Sequence, residues 1–544
     1  MNCPSIISDM PSTENRLPSA TRQIARGAAV VIVAYLITTP IRLLATILTA
    51  QTFGTGAASE AFFASNRFSE IIFNLVAGGA LGSAFIPTFT SLLTRKKQAD
   101  AWRLASAITN LIFIILFLLS LLSMIFAQQV VHYLLAPGFS VTDPTKEALT
   151  AELLRIQMPT ALIFALSGLL MGILNAHQHF LLPALAPAMY NVGRIIGILF
   201  FAPHLGIYGL AWGVLLGAGM HLLLQVPLLF KLPRRSYIPT FGLNFPPLRE
   251  VLVLMLPRLL GVAVVQLNFL LNTYLASLQP EGSVAAISLA FPLMLMPQAA
   301  IAQSIATAAL PTFSAQFALN KLNEMRSSLA STLRGVLLLS IPTTLGLVLL
   351  RHPLIAMLYQ RDQFTQQSTS LVAWALLWYA AGLVGHCVVE MISRAFYAMH
   401  DTKTPVLVGI GAMSLNLLFS LLFSSIFQSI GWMPHGGLAL ANSLATAIEG
   451  VVLLWLMHKR LKGLEDQRML AVTLKSLIAT IAMGAVIWLW QSYAIGFSAW
   501  QVTLIGVLLG SMVYALSISL LQVEEIKAVW QFVCHRTHEL IIKE

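Results

Sequence analysis

The chain has very little charge for its length. Only 10% of its 544 residues are Asp, Glu, Lys or Arg, whereas soluble domains contain about 25%. Hydrophobic residues make up 57% of the sequence, and its mean hydropathy is +0.81. Because a water-soluble domain could not cover so much apolar area with polar surface, the composition excludes a soluble protein. It predicts a protein that crosses the membrane many times.

Cysteine is also scarce. Cys3, Cys387 and Cys534 are too few and too far apart to form a disulfide framework or a zinc site. The sequence therefore predicts no metal site and no redox chemistry.

Three further features are missing. The chain has no GxxxxGK[ST] phosphate-binding loop, and no connection between apolar segments exceeds about 20 residues. No basic segment alternates with aromatic residues, so the net charge of +11 does not indicate nucleic-acid binding. We expect no enzyme activity and no bound cofactor. Any energy input should come from the membrane potential or an ion gradient.

The apolar segments predict an all-α membrane protein. At roughly 20 residues per crossing, they predict fourteen transmembrane helices. We expect no cleavable signal peptide in the polar N-terminus, so the first span should act as its own insertion signal. The second and eighth spans are too long for one straight crossing, and each should extend past the bilayer or bend near an internal proline. The predicted spans are 27–49, 61–93, 104–130, 151–176, 184–202, 206–230, 251–278, 284–315, 329–350, 370–398, 405–428, 436–457, 470–490 and 500–521.

The Lys and Arg residues predict the orientation of these spans. With a cytoplasmic N-terminus, 21 cationic residues fall in inside segments, and only Lys146, Arg351 and Arg361 fall in outside loops. This asymmetry follows the positive-inside rule. It places both termini of a multi-pass protein in the cytoplasm.

The second half of the sequence resembles the first. Four pairs of segments match in the same order, which indicates two parallel six-helix repeats facing each other across a cleft. The pairs are GSAFIPTFTS around Pro87 with ATAALPTFSA around Pro311, NAHQHFLLP ending at Pro183 with YAMHDTKTP ending at Pro405, TILTAQTFGTG from Thr46 with TYLASLQPEG from Thr273, and YGLAWG near Gly209 with GGLALA near Gly437.

These observations predict six regions. They are a cytoplasmic tail (1–26), an N-terminal six-helix lobe (27–230), a cytoplasmic linker (231–250), a C-terminal six-helix lobe (251–457), two additional helices (458–521) and a cytoplasmic amphipathic tail (522–544). Within the second span, Gly78 and Gly82 predict close helix packing, and Pro87, like Pro311 in the repeat, predicts a bend near a gate.

Several segments resemble the MurJ/MviN family of the multidrug/oligosaccharidyl-lipid/polysaccharide exporter superfamily. The resemblance covers about residues 27 to 460. It implies a fourteen-helix flippase that lies in the bacterial inner (plasma) membrane and moves the peptidoglycan precursor lipid II. The segments are FGTGAASEAFFAS (53–65), GALGSAFIPTF (79–89), GILNAHQHFLLPALAPAMYN (172–191), LPRLLGVAVVQLNFLLNTYLASLQPEGSV (256–284), ALPTFS (309–314) and RAFYAMHDTKTPV (394–406).

The chain departs from this family at the charged positions that are associated with the diphosphate. The family has a Ser-Arg pair in the first helix, an Arg-Arg pair followed by a Glu in the second, and an Asp-Arg pair in the eighth. This sequence has Thr38-Thr39, Phe73-Asn74 with Gly78, and Phe291-Pro292 at those places. If the chain binds a diphosphate, other cations must do so.

Four other arginines within predicted spans could replace the missing charges. They are Arg42, Arg67, Arg194 and Arg258. An interior guanidinium suits a phosphate because its planar fork binds two oxygens at once. Two alternatives stay open: Arg67 could pair with Glu70 along one helix face, and Arg258 could extend to the lipid headgroups.

Acidic and imidazole side chains give further predictions. Glu60 and Glu70 are candidate ion-coupling sites, although Glu60 could instead lie in an outer loop and Glu70 could pair with Arg67. Glu390 and Arg394, one helical turn apart, predict an internal ion pair. His177, His179 and His400 are expected to be interfacial residues and not metal ligands.

The sequence thus predicts an alternating-access flippase for a lipid-linked cell-wall precursor, an undecaprenyl diphosphate of the lipid II type. Its partners would be this lipid, the membrane lipids and the cell-wall synthesis enzymes. The missing basic pairs leave two alternatives: a paralogue without transport activity that acts as a scaffold for envelope synthesis, and an exporter of another lipid-linked glycan or amphiphile.

Overall fold

The computed structural model describes residues 19–75, 85–233 and 235–523. Within these ranges the chain is helical and contains no strand. Of the side chains, those of residues 19–32, 142, 257, 258 and 260 are not described.

The first half of the chain forms eleven helices. They are α1 (Ser19–Phe53), α2 (Ala57–Phe73), α3 (Ile86–Thr94), α4 (Gln98–Ile125), α5 (Ala127–Val130), α6 (Pro137–Thr142), α7 (Pro144–Ala176), α8 (Leu181–Ile196), α9 (Ala202–Leu205), α10 (Ile207–Leu223) and α11 (Val226–Lys231).

The second half contributes ten more. They are α12 (Pro246–Ser277), α13 (Ser283–Gln298), α14 (Ser304–Ala318), α15 (Leu322–Tyr359), α16 (Gln366–Ala381), α17 (Leu383–Ala398), α18 (Lys403–Ser429), α19 (His435–Leu461), α20 (Asp466–Tyr493) and α21 (Ala499–Leu520). Short π-helical turns interrupt the chain at Val131–Leu135, Gly197–Phe201 and Ala299–Gln303.

Eleven described helices are long and apolar enough to cross a membrane, and thirteen spans result if each of two bent pairs counts as one. Both bends exceed 40°: α12 bends by 46° between its segments Pro246–Leu256 and Gly261–Ser277, and α16 and α17 meet at 45°. The predicted span 61–93 begins in α2 and ends in α3, but residues 76–84 lie outside the described part of the chain. The structure thus shows a polytopic helical membrane protein.

The prolines do not all bend the chain where the sequence suggested. The long eighth span consists of α13 and α14, and its irregular π turn follows Pro297. Helix α14 continues through Pro311, and α1 continues through Pro40. The α12 bend, in contrast, falls where Pro257 precedes Arg258. A proline removes one backbone hydrogen bond, but neighbouring helices can keep the remaining turns in place.

Glycines allow a close helix contact in the first half, between α10 and α8 with the π turn that follows it. A Cβ atom added at Gly213 would lie 2.6 Å from the Cα of Gly197, and one added at Gly193 would lie 2.2 Å from the Cα of Gly217. These distances are shorter than any normal contact, so the two backbones touch directly. Without a hydrophobic driving force in lipid, such small-residue packing holds helices together.

We expect Gly213→Ala to destabilise the protein, because the methyl group would push α8 and α10 apart. Gly219→Ala on the same helix is the matched control, since a Cβ at Gly219 meets no atom within 4 Å. Helix propensity alone favours alanine by about 1 kcal/mol at both positions. Thermal unfolding in detergent should show a lower midpoint for Gly213→Ala and an equal or higher one for Gly219→Ala. Equal midpoints for the two variants would contradict the packing argument.

Candidate functional site: a cavity between the two halves of the chain

A cavity of about 580 Å³ lies between the first and second halves of the chain. Helices α1, α2 and α8 form one wall, and helices α12, α13, α16 and α19 form most of the other. Its volume is in the range of small-molecule binding sites.

Three of the four predicted arginines line this cavity: Arg42 from α1, Arg67 from α2 and Arg194 from α8. Two other predicted site residues do not fit this pattern. Arg258 lies in the bent part of α12, where its side chain is not described, and Glu60 lies elsewhere. The structure therefore brings together side chains that are up to 152 positions apart in sequence.

Arg42 and Arg194 face the cavity without an acidic partner among the described residues. Arg194 donates from Nη2 to Oγ1 of Thr49 at 3.1 Å and from Nη1 to Oδ1 of Asn191 at 3.4 Å. Its buried Nε has no acceptor in the described part of the protein. These guanidinium groups keep donors available for an anion.

The sequence left open whether Arg67 contributes to a cavity or pairs with Glu70, and the structure shows that it does both. It forms an ion pair with Glu70, with 2.9 Å between Nη1 and Oε2, and both side chains line the cavity. The other carboxylate oxygen of Glu70 accepts a hydrogen bond from Nδ2 of Asn66 at 2.7 Å. The guanidinium of Arg67 also lies 5.5 Å from the ring centroid of Phe269 in the opposite wall.

The described charged residues of the cavity all lie on one wall. Among the residues whose side chains the structure describes, the charged ones that line it are three arginines and one glutamate, which gives a net charge of +2, and all four belong to the first half of the chain. The described lining residues from the second half carry no charge. They include Phe269, Asn272, Thr273, Ser288, Phe291, Tyr359, Tyr379 and Asn442. An anion in this cavity would therefore be held against α1, α2 and α8.

At one end of the cavity, the two halves are joined by hydrogen bonds. Gln51 donates to the carbonyl of Leu358 at 3.0 Å and accepts at its own carbonyl from the backbone N–H of Gln363 at 3.0 Å. The hydroxyl groups of Thr55 and Ser368 are 2.8 Å apart.

A buried ion pair strengthens the same junction. Glu60, in the first turn of α2, pairs with Lys146 of α7, and its other oxygen accepts a hydrogen bond of 2.8 Å from the backbone N–H of Val284 at the start of α13. Glu60 is only 1% exposed and Lys146 only 5% exposed. The Lys146 ammonium also lies 3.9 Å from the ring centroid of Phe139. Glu60 thus connects α2 and α7 to a helix of the second half.

This position corrects two interpretations of the sequence. Glu60 is a helical, buried residue and does not lie in a loop, and Lys146 is likewise buried within a helix. No sequence signal links two residues that are 86 positions apart, so the pair could not be predicted. The uncharged polar residues Asn272, Ser288 and Asn442 were also missed, because isolated polar residues in apolar spans have no distinctive spacing.

The remaining predicted residues have varied positions. Pro87 is exposed at the start of α3, and Pro311 is exposed within α14. Gly78 and Gly82 lie outside the described residues. The predicted ion pair is confirmed, because Arg394 Nη2 lies 2.9 Å from Oε1 of Glu390.

A membrane-spanning helical bundle that encloses a cationic cavity between its two halves has the architecture of a transporter. Comparison with known proteins agrees with this class. A family model described as "Lipid II flippase MurJ" matches residues 49–508. Because this match includes most of the chain, the protein belongs to the lipid II flippase MurJ family.

Individual relatives support the assignment. The "Lipid II flippase MurJ" of Burkholderia cenocepacia is 31% identical over 421 residues, which cover 76% of this chain and 80% of the relative. The "Probable lipid II flippase MurJ" of Vibrio cholerae is 28% identical over 539 residues, which cover 94% and 99% of the two chains.

Solved structures show the same fold. The structure described as "Lipid II flippase MurJ, inward closed conformation" superimposes with a TM-score of 0.76 at 25% identity, and the match covers 90% of this chain and 98% of that one. An inward-facing multidrug resistance MATE family transporter of the MOP superfamily has a TM-score of 0.65 at 17% identity, covering 80% and 99% of the two chains. This second similarity concerns the fold alone.

The Glu60–Lys146 pair can be tested with a double-mutant cycle. We expect Glu60→Gln or Lys146→Met alone to destabilise the protein by about 3–5 kcal/mol, because each leaves a buried charge without its partner. Combining the two substitutions should restore much of the stability, since both charges are then removed. Thermal unfolding of the four proteins in detergent measures this coupling. Strictly additive losses would show that the two charges do not interact.

Proposed function

We propose that this protein is an alternating-access flippase. It moves a lipid-linked cell-wall precursor, an undecaprenyl diphosphate of the lipid II type, from the inner to the outer leaflet during peptidoglycan biosynthesis. Membership of the lipid II flippase MurJ family supports this function. The observation that carries the proposal is the cavity with three arginines on one wall and a net charge of +2.

The charge of the cavity suits a diphosphate. A lipid diphosphate carries about two negative charges, and an anion of this kind is costly to place in hydrocarbon without cationic partners. Arg42, Arg67 and Arg194 supply these partners in a chain that lacks the basic pairs of the resembling family. The polyprenyl tail is apolar and can stay in the lipid, so only the head group has to enter the cavity.

Transport requires the cavity to open to the two sides in turn. We propose that fourteen spans form two parallel six-helix repeats with two additional C-terminal helices, and that the repeats rock against each other. The repeat is supported by Phe89 and Phe313, which follow the matched prolines Pro87 and Pro311 by two positions and are both fully buried. The contacts of Gln51, Thr55 and Glu60 with the second half would then form a gate, which must separate when the cavity opens outward.

The membrane potential is a sufficient energy source in this proposal. With the inside negative, outward movement of an anion is favoured by about 2.3 kcal/mol per charge per 100 mV. Glu60 and Glu70 remain candidates for ion coupling, and their contacts with Lys146 and Arg67 are the ones that protonation would weaken. Cell-wall synthesis enzymes on both membrane faces are the partners that would supply and consume such a lipid.

Reconstituted protein can test the role of the arginines. In proteoliposomes containing a fluorescent lipid II analogue, we expect Arg42→Gln and Arg194→Gln each to lower the apparent affinity for the lipid about tenfold or more, since a hydrogen bond to a charged group contributes about 1.5–3 kcal/mol. The assay is read as the fraction of analogue that reaches the outer leaflet, with and without an imposed inside-negative potential.

Arg155→Gln is the matched control for these two variants. Arg155 also lies in a predicted span, but its Nε donates to the carbonyl of Met124 at 3.2 Å and the residue does not line the cavity. Its substitution should leave transport unchanged. The proposal fails if wild-type protein does not move the lipid, or if the three variants behave alike.

The proposed orientation has both termini in the cytoplasm. Single cysteines introduced at Gln363 and at Lys462 into a variant without native cysteines should react differently with a membrane-impermeant maleimide in intact spheroplasts. We expect labelling at position 363, which lies at the gate end of the cavity, and no labelling at position 462, which follows α19. The reverse pattern would show that the orientation is wrong.

A further inference from the structure

The uncharged wall of the cavity carries polar groups that the protein itself does not use. Four polar side-chain groups in this wall have no hydrogen-bond partner among the described residues: Oγ of Ser288, Oη of Tyr379, Oδ1 of Asn272 and Nδ2 of Asn442. The two amides are held in place by their other ends, since Asn272 donates to Asn268 at 3.1 Å and Oδ1 of Asn442 lies 3.2 Å from Nε2 of His386. Ser288, Asn272 and Asn442 are half-buried and, like Tyr379, line the cavity, so these four groups are available to a ligand.

Aromatic rings lie among these groups. The ring centroid of Phe291 is 5.8 Å from that of Phe269 and 5.1 Å from that of Tyr379, and all three rings line the cavity. The wall therefore combines aromatic surface with hydroxyl and amide groups, and its described lining residues carry no charge. This combination matches the alternating C–H faces and hydroxyl groups of a sugar, whose polar groups are uncharged and both donate and accept hydrogen bonds.

We infer that the wall formed by α12, α13, α16 and α19 is a carbohydrate subsite, and that it recognises the sugar attached to the lipid diphosphate. This inference rests on the proposed function. It adds an orientation for the head group: the diphosphate lies against α1, α2 and α8, and the sugar lies against the second half of the chain. Arg67 marks the boundary between the two subsites, because its guanidinium contacts Glu70 on one side and faces the ring of Phe269 on the other.

A purely structural role for this wall predicts a different effect of substitutions on transport. If its polar groups only filled space, their removal would affect every cargo to the same extent. The residues Ser288 and Tyr379 are suited to this distinction, because neither side-chain hydroxyl has a hydrogen-bond partner in the described part of the protein that a substitution would break. Ser288→Ala and Tyr379→Phe each remove one hydroxyl and leave the rest of the residue in place.

The experiment measures transport of two lipids by reconstituted protein. Both are undecaprenyl diphosphates, one with a disaccharide and one without a sugar. For the double variant Ser288→Ala/Tyr379→Phe, we expect the apparent affinity for the disaccharide lipid to fall about tenfold, since each neutral hydrogen bond contributes a few-fold to about tenfold. Transport of the sugar-free lipid should stay within about twofold of wild type. Phe291→Leu should show the same selective loss.

The matched control is Ser414→Ala/Tyr493→Phe. Both residues are exposed on α18 and α20 and do not line the cavity, so neither lipid should be affected. Equal losses for both lipids, or no loss for either, would overturn the carbohydrate subsite. A third lipid, the disaccharide diphosphate with an attached peptide, tests peptide recognition: a loss confined to this lipid would also overturn the carbohydrate subsite.

A binding measurement separates failure of the subsite from failure of the proposed transport. Binding of the soluble disaccharide diphosphate is measured by calorimetry on the purified full chain. If wild type binds it and the double variant binds about tenfold more weakly, the subsite is supported even when no lipid is transported, and only the transport proposal fails. If the two proteins bind equally, the subsite is wrong whatever the transport assay shows.

Discussion

The structure depends on the cost of holding positive charge inside an apolar bundle. A guanidinium in a low-dielectric environment requires water, hydrogen-bond acceptors or a counterion, and each of the three cavity arginines satisfies this requirement differently. Arg67 has the carboxylate of Glu70, Arg194 has the side-chain oxygens of Thr49 and Asn191, and Arg42 lies exposed to the cavity. The arginines therefore require the cavity as much as any cargo does. Water that enters it lowers the free-energy cost of holding their charges inside the bundle.

The same constraint explains the contrast between the cavity and the junction beside it. At the junction, Lys146 and Glu60 are nearly inaccessible and neutralise each other, and Val284 completes the hydrogen bonding of the carboxylate. Within the cavity, the arginines outnumber the single carboxylate. Fully paired charges fasten helices together, whereas an excess of one sign creates a binding site. The glycine contacts between α8 and α10 fix the position of the helix that carries Arg194, and the hydrogen bond to Thr49 joins this arginine to α1.

Much of this could be predicted from the sequence. Long apolar segments specify helices, so the helical fold followed from composition, and Arg42, Arg67 and Arg194 were identified because charge within a span is expensive. The Arg67–Glu70 pair followed from their spacing of three residues. Contacts between distant segments could not be predicted: Glu60 and Lys146 meet only through the packing of α2 against α7. The π turn after Pro297 was also missed, because proline alone does not determine where a long helix becomes irregular.

Glu70 has a consequence for the rate of the proposed transport cycle. The site already contains an anion of its own, so an arriving phosphate must share Arg67 with a carboxylate that is attached to the same helix. A fixed competitor of this kind lowers the affinity for the cargo, but it also pairs with the guanidinium of Arg67 again when the cargo leaves. A carrier that bound its lipid as tightly as three unopposed arginines allow would release it slowly. The carboxylate of Glu70 therefore lowers the affinity for the lipid and raises the rate at which the lipid is released.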